Sequence, residues 1–235
     1  MPVPPRSWPR SWPRSRPRPW VVKIGGSLAS DWDLLAAWLD LLARPGHAVP
    51  VVVVPGGGPF ADAVRDAQDS WRFGDRLAHR MALLAMDQFG LMLHGICPAL
   101  HAAADEARIT ALAGAGRAAV WLPSALASSQ PEIAESWEAS SDSLAAWLAA
   151  RLNAAALVLV KAGPCPCAST DPAALARDGM VDAAFPAWRA RFAGATWCVH
   201  RERLAAMEAA LAGRGAPGCG LPRPSGRRPS AHEPA

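Results

Sequence analysis

The sequence predicts an α/β protein built on a parallel β-sheet that helices cover on both faces. Strand-like and helix-like segments alternate along residues 20–212, which is the order that parallel sheets require. The runs at residues 51–54 and 156–161 are almost wholly apolar, as strands buried on both faces are. With 51% hydrophobic residues, the 235-residue chain can form one sizeable core or two small ones.

The first half of this region predicts two strands and three helices. A strand over residues 21–24 precedes a helix over residues 31–43, which a Pro-Gly pair ends. The strand over residues 51–54 leads into a glycine-rich turn, and a helix begins near Phe60. A long helix follows over about residues 74–93, with leucine and methionine side chains on one face.

The second half continues the alternation. A Ser-Ser-Asp-Ser cluster at residues 140–143 precedes a helix and is typical of a helix N-terminus. Asp182 is predicted to cap a helix of its own, directly after it in the chain. The remaining predicted elements are a strand 118–122, a loop 124–136, a helix 144–152, a strand 156–161, a helix 183–192, a strand 196–199 and a helix 201–211.

Both ends of the chain have compositions that disfavour regular structure. Residues 1–19 repeat Pro, Arg, Ser and Trp, a pattern that excludes a helix or a central strand. We expect a disordered extension there, rather than a basic arm that binds nucleic acid or a membrane surface. Residues 213–235 are rich in Gly, Pro and Arg and are predicted to form a disordered tail, which leaves one domain over residues 20–212.

The net charge of +4 comes from these ends. Residues 1–20 hold five Arg and no acid, and residues 213–235 hold four Arg and one Glu, so 15 basic and 19 acidic residues remain between them. A mildly acidic domain predicts no nucleic-acid partner. No apolar run reaches the roughly 18 residues that span a bilayer, so no membrane partner is predicted. Five cysteines in a chain of this size form no even disulfide framework, which predicts a cytoplasmic protein.

The chain has only two lysines among its 24 basic residues, and each ends a strand-like run. Lys23 is followed by the glycine turn Gly25-Gly26, and a second glycine turn follows the strand at residues 51–54. Glycines let the backbone approach a ligand and direct N–H groups at an anion, and lysine is a compact point charge. The alternative is a tight turn with an incidental lysine. Because Lys161 also ends a parallel strand, these groups share one edge of the sheet, where α/β proteins bind ligands.

Asp142 completes a candidate phosphate site. It lies at a predicted helix start, from which its carboxylate can orient the two lysines, although a simple capping role is the alternative. Phosphoryl transfer needs mainly positioning and charge stabilisation, which such groups supply. The sequence contains no Walker A or GxGxxG pattern, so the design is neither that of a P-loop enzyme nor that of a protein kinase.

The motifs resemble those of the amino acid kinase family, which includes acetylglutamate, glutamate, aspartate and uridylate kinases. The resemblance covers about residues 20–210 and rests on Lys23-Ile24-Gly25-Gly26-Ser27, Val54-Pro55-Gly56-Gly57-Gly58, Ser141-Asp142-Ser143 and the strand-ending Lys161. It implies a three-layer αβα sandwich around a mainly parallel sheet of about eight strands. It also implies in-line transfer of the γ-phosphoryl group of ATP, with Mg²⁺, and a homo-oligomer.

The resemblance also implies residue roles. The catalytic residues would be Lys23, Asp142 and Lys161, with Asp142 holding the lysines in place. The residues on the ATP side would be Gly25, Gly26, Ser27, Lys161 and Asp171. The residues on the acceptor side would be Gly56, Gly57, Gly58, Asp75 and His79. No residue is predicted to form a metal site within the protein itself.

Within the family, residues 73–90 and 137–149 are similar to a branch of methanofuran biosynthesis. Kinases of that branch convert (5-(aminomethyl)furan-3-yl)methyl phosphate to its diphosphate. Such an acceptor carries an amine, with which Asp75 could pair, while His79 lies one helical turn later. The alternative for these two residues is a capping Asp and a surface His.

Two other functions fit the same motifs. Lys161-Ala162 and Asp171-Pro172 resemble uridylate kinases, and a non-catalytic binding or storage protein on the same fold is the third alternative. The family usually has an Asp-Gly pair in the loop after this strand, and the chain lacks it. Cys165 and Cys167 lie in that loop, where small residues in a proline-rigid segment are a better interpretation than a metal pair.

Overall fold

The computed structural model describes residues 12–13, 15–163 and 171–222. Within these residues the chain forms seven β-strands, nine α-helices and one short 3-10 helix, Gly26–Ser30. The strands are β1 (Trp20–Ile24), β2 (Val51–Pro55), β3 (Leu100–Ala103), β4 (Ala118–Trp121), β5 (Ala156–Lys161), β6 (Ala195–His200) and β7 (Cys219–Leu221). The helices are α1 (Trp32–Ala43), α2 (Gly58–Trp71), α3 (Asp75–Ile96), α4 (Glu106–Gly114), α5 (Pro123–Ala127), α6 (Ser141–Arg151), α7 (Pro172–Arg177), α8 (Phe185–Arg191) and α9 (Leu204–Leu211).

The strands form one sheet in the order β3-β4-β2-β1-β5-β6-β7. Every neighbouring pair is parallel except β6 with β7, which is antiparallel. The predicted parallel sheet is thus confirmed, although the described residues form seven strands where about eight were expected. β1 lies at the centre, with β2 on one side and β5 on the other. The strands up to β4 are added on one side of β1 and those from β5 onward on the other side, so the switch point of the topology lies at β1.

Alternation of side chains along the strands produces two cores, one on each face of the sheet. Val21, Val52 and Leu159 pack on one face against apolar residues of α4, α6 and α8. Val22 follows Val21, and Val158 precedes Leu159, so their side chains point to the other face of the sheet. There they pack against α1 and α9. Because the strands are apolar on both faces, two helical layers are needed to cover them. The predicted three-layer αβα sandwich is therefore confirmed.

Most predicted boundaries agree with the structure to within a few residues, but some elements were not predicted. β3 reads Leu-His-Ala-Ala, which contains no β-branched residue and therefore carries no strand signal. α4 follows it and was likewise not predicted. The short helix α5 occupies the start of the predicted loop at residues 124–136.

The prediction that Asp182 caps its own helix is wrong. α8 begins at Phe185, and its N-cap residue Ala184 makes no side-chain capping bond. Asp182 instead accepts hydrogen bonds from Ser140 and Ser143, at the start of α6. Capping preference identifies a residue able to bind free N–H groups, but the tertiary structure decides which helix receives it.

Packing extends beyond both predicted domain boundaries. Trp12 is only 4% exposed and donates from Nε1 to the Pro17 carbonyl at 3.1 Å. Arg18 donates to the carbonyls of Asn153 and Ala154, which directly follow α6. At the other end, β7 lies inside the predicted tail. The rest of both predicted disordered segments, residues 1–11, 14 and 223–235, falls outside the described residues.

Candidate active site

Strand periodicity brings the two lysines to the same face of the sheet. Successive side chains of a strand point to opposite faces, so Lys23 shares the face of Val21, and Lys161 shares that of Leu159. Lys23 pairs with Leu159 in the parallel register of β1 and β5. Lys161 therefore lies two residues further toward the carboxyl edge. Both lysine side chains are on the face that α6 covers.

Asp142, in the first turn of α6, joins the two lysines. Lys23 Nζ lies 3.1 Å from Oδ1 of Asp142. Lys161 Nζ donates a hydrogen bond of 2.6 Å to Oδ2. Lys23 and Asp142 are buried, with 6% and 5% of their surface exposed. The structure thus brings together the three residues for which the sequence predicted a catalytic role.

Burial and charge act against each other in this cluster. Burial alone raises the pKa of Asp142, but attraction to Lys23 and Lys161 outweighs it and holds this pKa below its ordinary value. Burial lowers the pKa of Lys23, and attraction to Asp142 offsets this only in part, while repulsion from Lys161 adds to the lowering. Two ammonium groups contact one carboxylate, so the cluster attracts an anion.

The two glycine turns touch each other backbone to backbone beside this cluster. A Cβ on Gly26 would lie 2.5 Å from Cα of Gly58, and a Cβ on Gly56 would lie 2.8 Å from the Gly26 nitrogen. Any side chain at these positions would push the turns apart. A Cβ on Gly25 would lie 3.7 Å from Lys23 Nζ, so the ammonium group is next to the first turn. Gly58 has a φ of +54°, which favours glycine.

A cavity of about 600 Å³ opens between the glycine turns and the start of α6. The predicted residues Gly26, Ser27 and Gly56 to Gly58 line one side, and Ser140 and Ser141, next to Asp142, line another. The N-terminus of α2 also borders this space, and no side chain caps it. Free N–H groups at such a helix start favour a bound anion. The volume suits a small molecule.

The far side of the cavity is apolar and aromatic, with two charged groups. Leu83, Met86 and Trp137 line it. The guanidinium of Arg65 stacks over the Trp137 ring at 4.3 Å from the ring centroid and lies 3.3 Å from Asp62. An aromatic ring with one cation and one anion nearby can bind a flat, charged ligand.

The structure separates two residues that were predicted on the acceptor side, Asp75 to pair with the amine and His79 one helical turn later. His79 lines the cavity, is buried, and contacts the Ser136 carbonyl through Nδ1 at 3.1 Å. Burial lowers the pKa of His79, so its neutral form is favoured. Asp75 is exposed, does not line the cavity, and accepts a hydrogen bond of 2.8 Å from Gln68. Gln68 in turn accepts from Trp137, so Asp75 supports the cavity wall indirectly.

Two residues that line the cavity, Trp137 and Arg65, were not among the predicted site residues. Trp137 lies in a segment that was quoted for the resemblance, but no local pattern distinguishes its side chain from a core tryptophan. Arg65 is one of 22 arginines, and its spacing does not single it out. A cation-π pair between a helix and a distant loop leaves no periodic signal in the sequence.

The nucleotide side of the candidate site is described in part. Lys161 ends β5, and Asp171 caps α7 by accepting from the Ala173 N–H at 3.3 Å. Cys165, Cys167 and the rest of residues 164–170 lie outside the described residues.

The phosphates of ATP fit the lysine cluster and the glycine turns, because both supply donors to anionic oxygens. The described part of the chain contains no group of three His, Cys, Asp or Glu side chains that could hold a metal ion. Mg²⁺ is commonly held by substrate phosphates with one or two carboxylates. An ion that accompanies ATP therefore does not need a separate protein cage.

Residues 18–164 match the amino acid kinase family. The chain belongs to this family. The match covers the whole region from β1 to the end of β5, and so includes Lys23, both glycine turns, Asp142 and Lys161.

One relative is the (5-(aminomethyl)furan-3-yl)methyl phosphate kinase of Methanocaldococcus jannaschii. It is 30% identical over 141 residues, which are 59% of this chain and 63% of the relative. The aligned part thus spans less than two thirds of that kinase.

Solved structures of uridylate kinases have the same fold. The enzyme of Archaeoglobus fulgidus superposes with a TM-score of 0.62 at 16% identity, covering 87% of this chain and 100% of that one. The enzyme of Ureaplasma parvum superposes with a TM-score of 0.63 at 15% identity, covering 88% and 97%. No helix in the described residues is both long and apolar enough to span a bilayer.

Proposed function

We propose that the protein is an ATP-dependent kinase that transfers a phosphoryl group to a small, already phosphorylated acceptor. The observation that carries this proposal is the ion-paired cluster of Lys23, Asp142 and Lys161 beside the glycine turns. Phosphoryl transfer depends on positioning and charge stabilisation, with little covalent chemistry from the protein. Because an odd number of cysteines in a chain of this size does not suit a disulfide framework, we propose that the reaction takes place in the cytoplasm.

Each residue of the cluster has a separate task in this reaction. Lys23 binds the oxygens of the phosphoryl group in transfer, and Lys161 binds phosphate oxygens of the nucleotide. Asp142 fixes both ammonium groups before the substrates bind, so they need little reorganisation during transfer. N–H groups of the turn at Gly25 and Gly26 add donors on the same side. Mg²⁺ bound to ATP neutralises part of the phosphate charge.

The acceptor that fits best is (5-(aminomethyl)furan-3-yl)methyl phosphate, which would become the diphosphate. Its furan ring suits the apolar wall with Trp137, and its phosphate suits Arg65 or the glycine turn at Gly56 to Gly58. Its amine suits Asp62, which lines the cavity, better than Asp75, which does not. The name of the M. jannaschii relative supports the same acceptor.

Turnover with defined acceptors tests the proposal. Purified protein is incubated with Mg-ATP and either the furan phosphate or UMP, and ADP and the phosphorylated product are quantified. We expect turnover of the furan phosphate and little or none of UMP. UMP turnover alone would support uridylate kinase activity. Tight binding of either compound without ADP formation would support the non-catalytic alternative.

A substitution at Lys23 tests the assignment of the site. Removing one preorganised charge from such a site commonly lowers kcat by about 10²–10³-fold, and we expect this for Lys23→Ala with the active acceptor. Arg44→Ala is the control, because Arg44 forms an exposed pair with Glu208 away from the cavity. An unchanged rate in Lys23→Ala would contradict the assignment.

We also propose that the protein is a dimer formed through α3. Leu77, Leu84 and Leu91 are exposed at seven-residue intervals along this helix. Leu77 and Leu91 are equally distant from Leu84, so an antiparallel copy can match the row with itself, as a two-fold interface requires. A parallel copy would bring the two exposed Arg80 side chains together, whereas antiparallel packing sets Arg80 opposite Gln88.

A further inference from the structure

Asp182 makes a set of contacts that the proposed reaction does not yet explain. It lies in the loop between α7 and α8. Its Oδ2 accepts from the Ser140 N–H at 3.0 Å, the Ser140 hydroxyl at 2.8 Å and the Ser143 N–H at 3.0 Å. Its Oδ1 accepts from the Ser143 hydroxyl. One carboxylate thus satisfies four donors around the start of α6, about 40 residues earlier in the chain.

The start of α6 would ordinarily be capped from within its own sequence. Ser140 occupies the N-cap position, yet its side chain makes no capping bond. Asp142 lies in the first turn, where a carboxylate competes for the free N–H groups of the same helix. Because Asp182 already binds the Ser143 N–H, the carboxylate of Asp142 is left to turn toward the lysines.

We propose that Asp182 is a positioning residue that caps α6 in place of Asp142 and thereby holds the Asp142 carboxylate between Lys23 and Lys161. This inference rests on the proposed kinase function, for which that geometry matters. Asp182 contacts neither lysine and positions the Asp142 carboxylate through α6.

The same loop also contacts the acceptor side of the cavity. The Ala184 N–H donates to the Glu138 carbonyl at 2.9 Å, and Glu138 directly follows Trp137. Asp182 and Ala184 therefore connect one loop to α6 and to the segment that contains Trp137. Displacement of this loop would disturb both.

Electrostatics give Asp182 a second measurable effect. Burial raises the pKa of Asp182, and repulsion from Asp142 on α6 raises it further. The charged form of Asp182 in turn raises the pKa of Lys23 on β1, which Lys161 on β5 lowers. Removing the charge of Asp182 should therefore make Lys23 lose its proton at a lower pH. This effect depends on the charge of Asp182, which Asp182→Asn removes and Asp182→Glu keeps.

The test compares Asp182→Asn, Asp182→Glu and Asp178→Asn with the parent in the phosphotransfer assay. Asn has the same size, but its NH₂ group would face donors and it carries no charge. We expect kcat of Asp182→Asn to fall about 10- to 100-fold, as for other residues that orient reacting groups, with KM values nearly unchanged. The alkaline limb of kcat/KM should move to lower pH in Asp182→Asn, whereas Asp182→Glu should keep the limb of the parent.

Asp178→Asn is the matched control, since it removes an exposed charge at the end of α7. It should keep the kcat and the pH profile of the parent. Amide hydrogen exchange at Ser143 gives a measurement that does not need turnover, and we expect faster exchange in Asp182→Asn. Unchanged kcat with an unchanged alkaline limb would overturn the positioning role, and so would unchanged exchange.

A second variant keeps the test decisive if Asp182→Asn does not fold. Ser143→Ala removes one donor to Asp182 and leaves both carboxylates in place, and we expect a smaller fall in kcat than in Asp182→Asn, again without a change in KM. Parent-like kinetics in Ser143→Ala would then contradict the proposal. A parent protein without turnover on any acceptor would contradict the kinase function itself, while the exchange experiment would still decide whether Asp182 caps α6.

Discussion

Lys23 is a buried cation whose charge depends on neighbours from β5 and α6. The pattern of β1 directs its side chain to one face of the sheet, and Asp142 and Lys161 then set the balance of attraction and repulsion around it. A guanidinium is larger and planar and would not occupy the same space between the glycine turn and the carboxylate. The chemistry at this position therefore depends on lysine in particular.

The alkaline side of the pH–rate profile follows from the burial of Lys23. Its protonated form binds phosphoryl oxygens, and burial lowers its pKa. We therefore expect kcat/KM, which reports the ionisation of the free enzyme, to fall at a pH below the range in which exposed lysines titrate. The unfolded chain holds this proton more tightly, so the contribution of Lys23 to the free energy of unfolding rises with pH between the two pKa values. A constant kcat/KM up to the ordinary lysine range would contradict the prediction.

At the scale of elements, the site depends on the contact between the turns that follow β1 and β2. The Gly56 N–H donates to the Ile24 carbonyl at 2.8 Å, and Gly26 packs directly on Gly58. This contact fixes both turns at the same edge of the sheet. It also explains why two separate glycine runs are required, since each turn leaves room for the backbone of the other.

Gly26→Ala should separate these turns. The added Cβ would lie 2.5 Å from a backbone atom, which cannot move as a flexible side chain can. We expect a loss of about 1–3 kcal/mol in the free energy of unfolding, measured by denaturant titration, together with loss of phosphotransfer. Gly95→Ala in α3 is the control because a Cβ there meets no atom within 4 Å, and it should raise helix stability by about 0.5–1 kcal/mol.

At the scale of the whole molecule, the segment before β1 belongs to the folded unit. Trp12 packs in the same core as the α6 residues, and Arg16 donates to the Thr110 carbonyl of α4. Proline-rich sequence excludes a helix or a central strand, but it does not prevent a segment from packing against a finished domain.

Trp12→Ala tests this packing. Deleting a buried tryptophan side chain costs about 3–5 kcal/mol in the free energy of unfolding, and we expect a loss in that range by thermal or denaturant unfolding. Trp71→Ala is the matched control, since Trp71 is 81% exposed and its removal should change stability by less than about 0.5 kcal/mol. Equal stability of the two variants would show that Trp12 is not a core residue in solution.

Leu84→Glu tests the proposed dimer. Leu84 is 55% exposed and lies at the centre of the leucine row, so in an antiparallel pair two glutamates would face each other across the axis. We expect the parent to elute as a dimer and Leu84→Glu as a monomer in size-exclusion chromatography with light scattering. Trp32→Glu, an exposed apolar residue outside α3, should remain dimeric. A monomeric parent would rule out the interface.

Much of the fold was predictable because its signals are local. β1, β2 and β5 were recognisable as apolar, β-branched runs, and α1 begins directly after a capping Asp31. β3 and β7 were not, because a strand of four or three residues without a β-branched side chain depends on its neighbours. Asp182 was recognised as a capping residue, but it was assigned to the wrong helix.

The sequence by itself determined the parallel α/β class, the two lysines at strand ends, the glycine turns and Asp142 at a helix start. These depend on spacing, periodicity and residue chemistry within a few neighbouring positions. Only the tertiary structure decided which side chains meet, namely Arg65 with Trp137 and Asp182 with the start of α6. Such contacts join segments tens of residues apart, and no local pattern encodes them. The docking of loops on the finished sheet creates them.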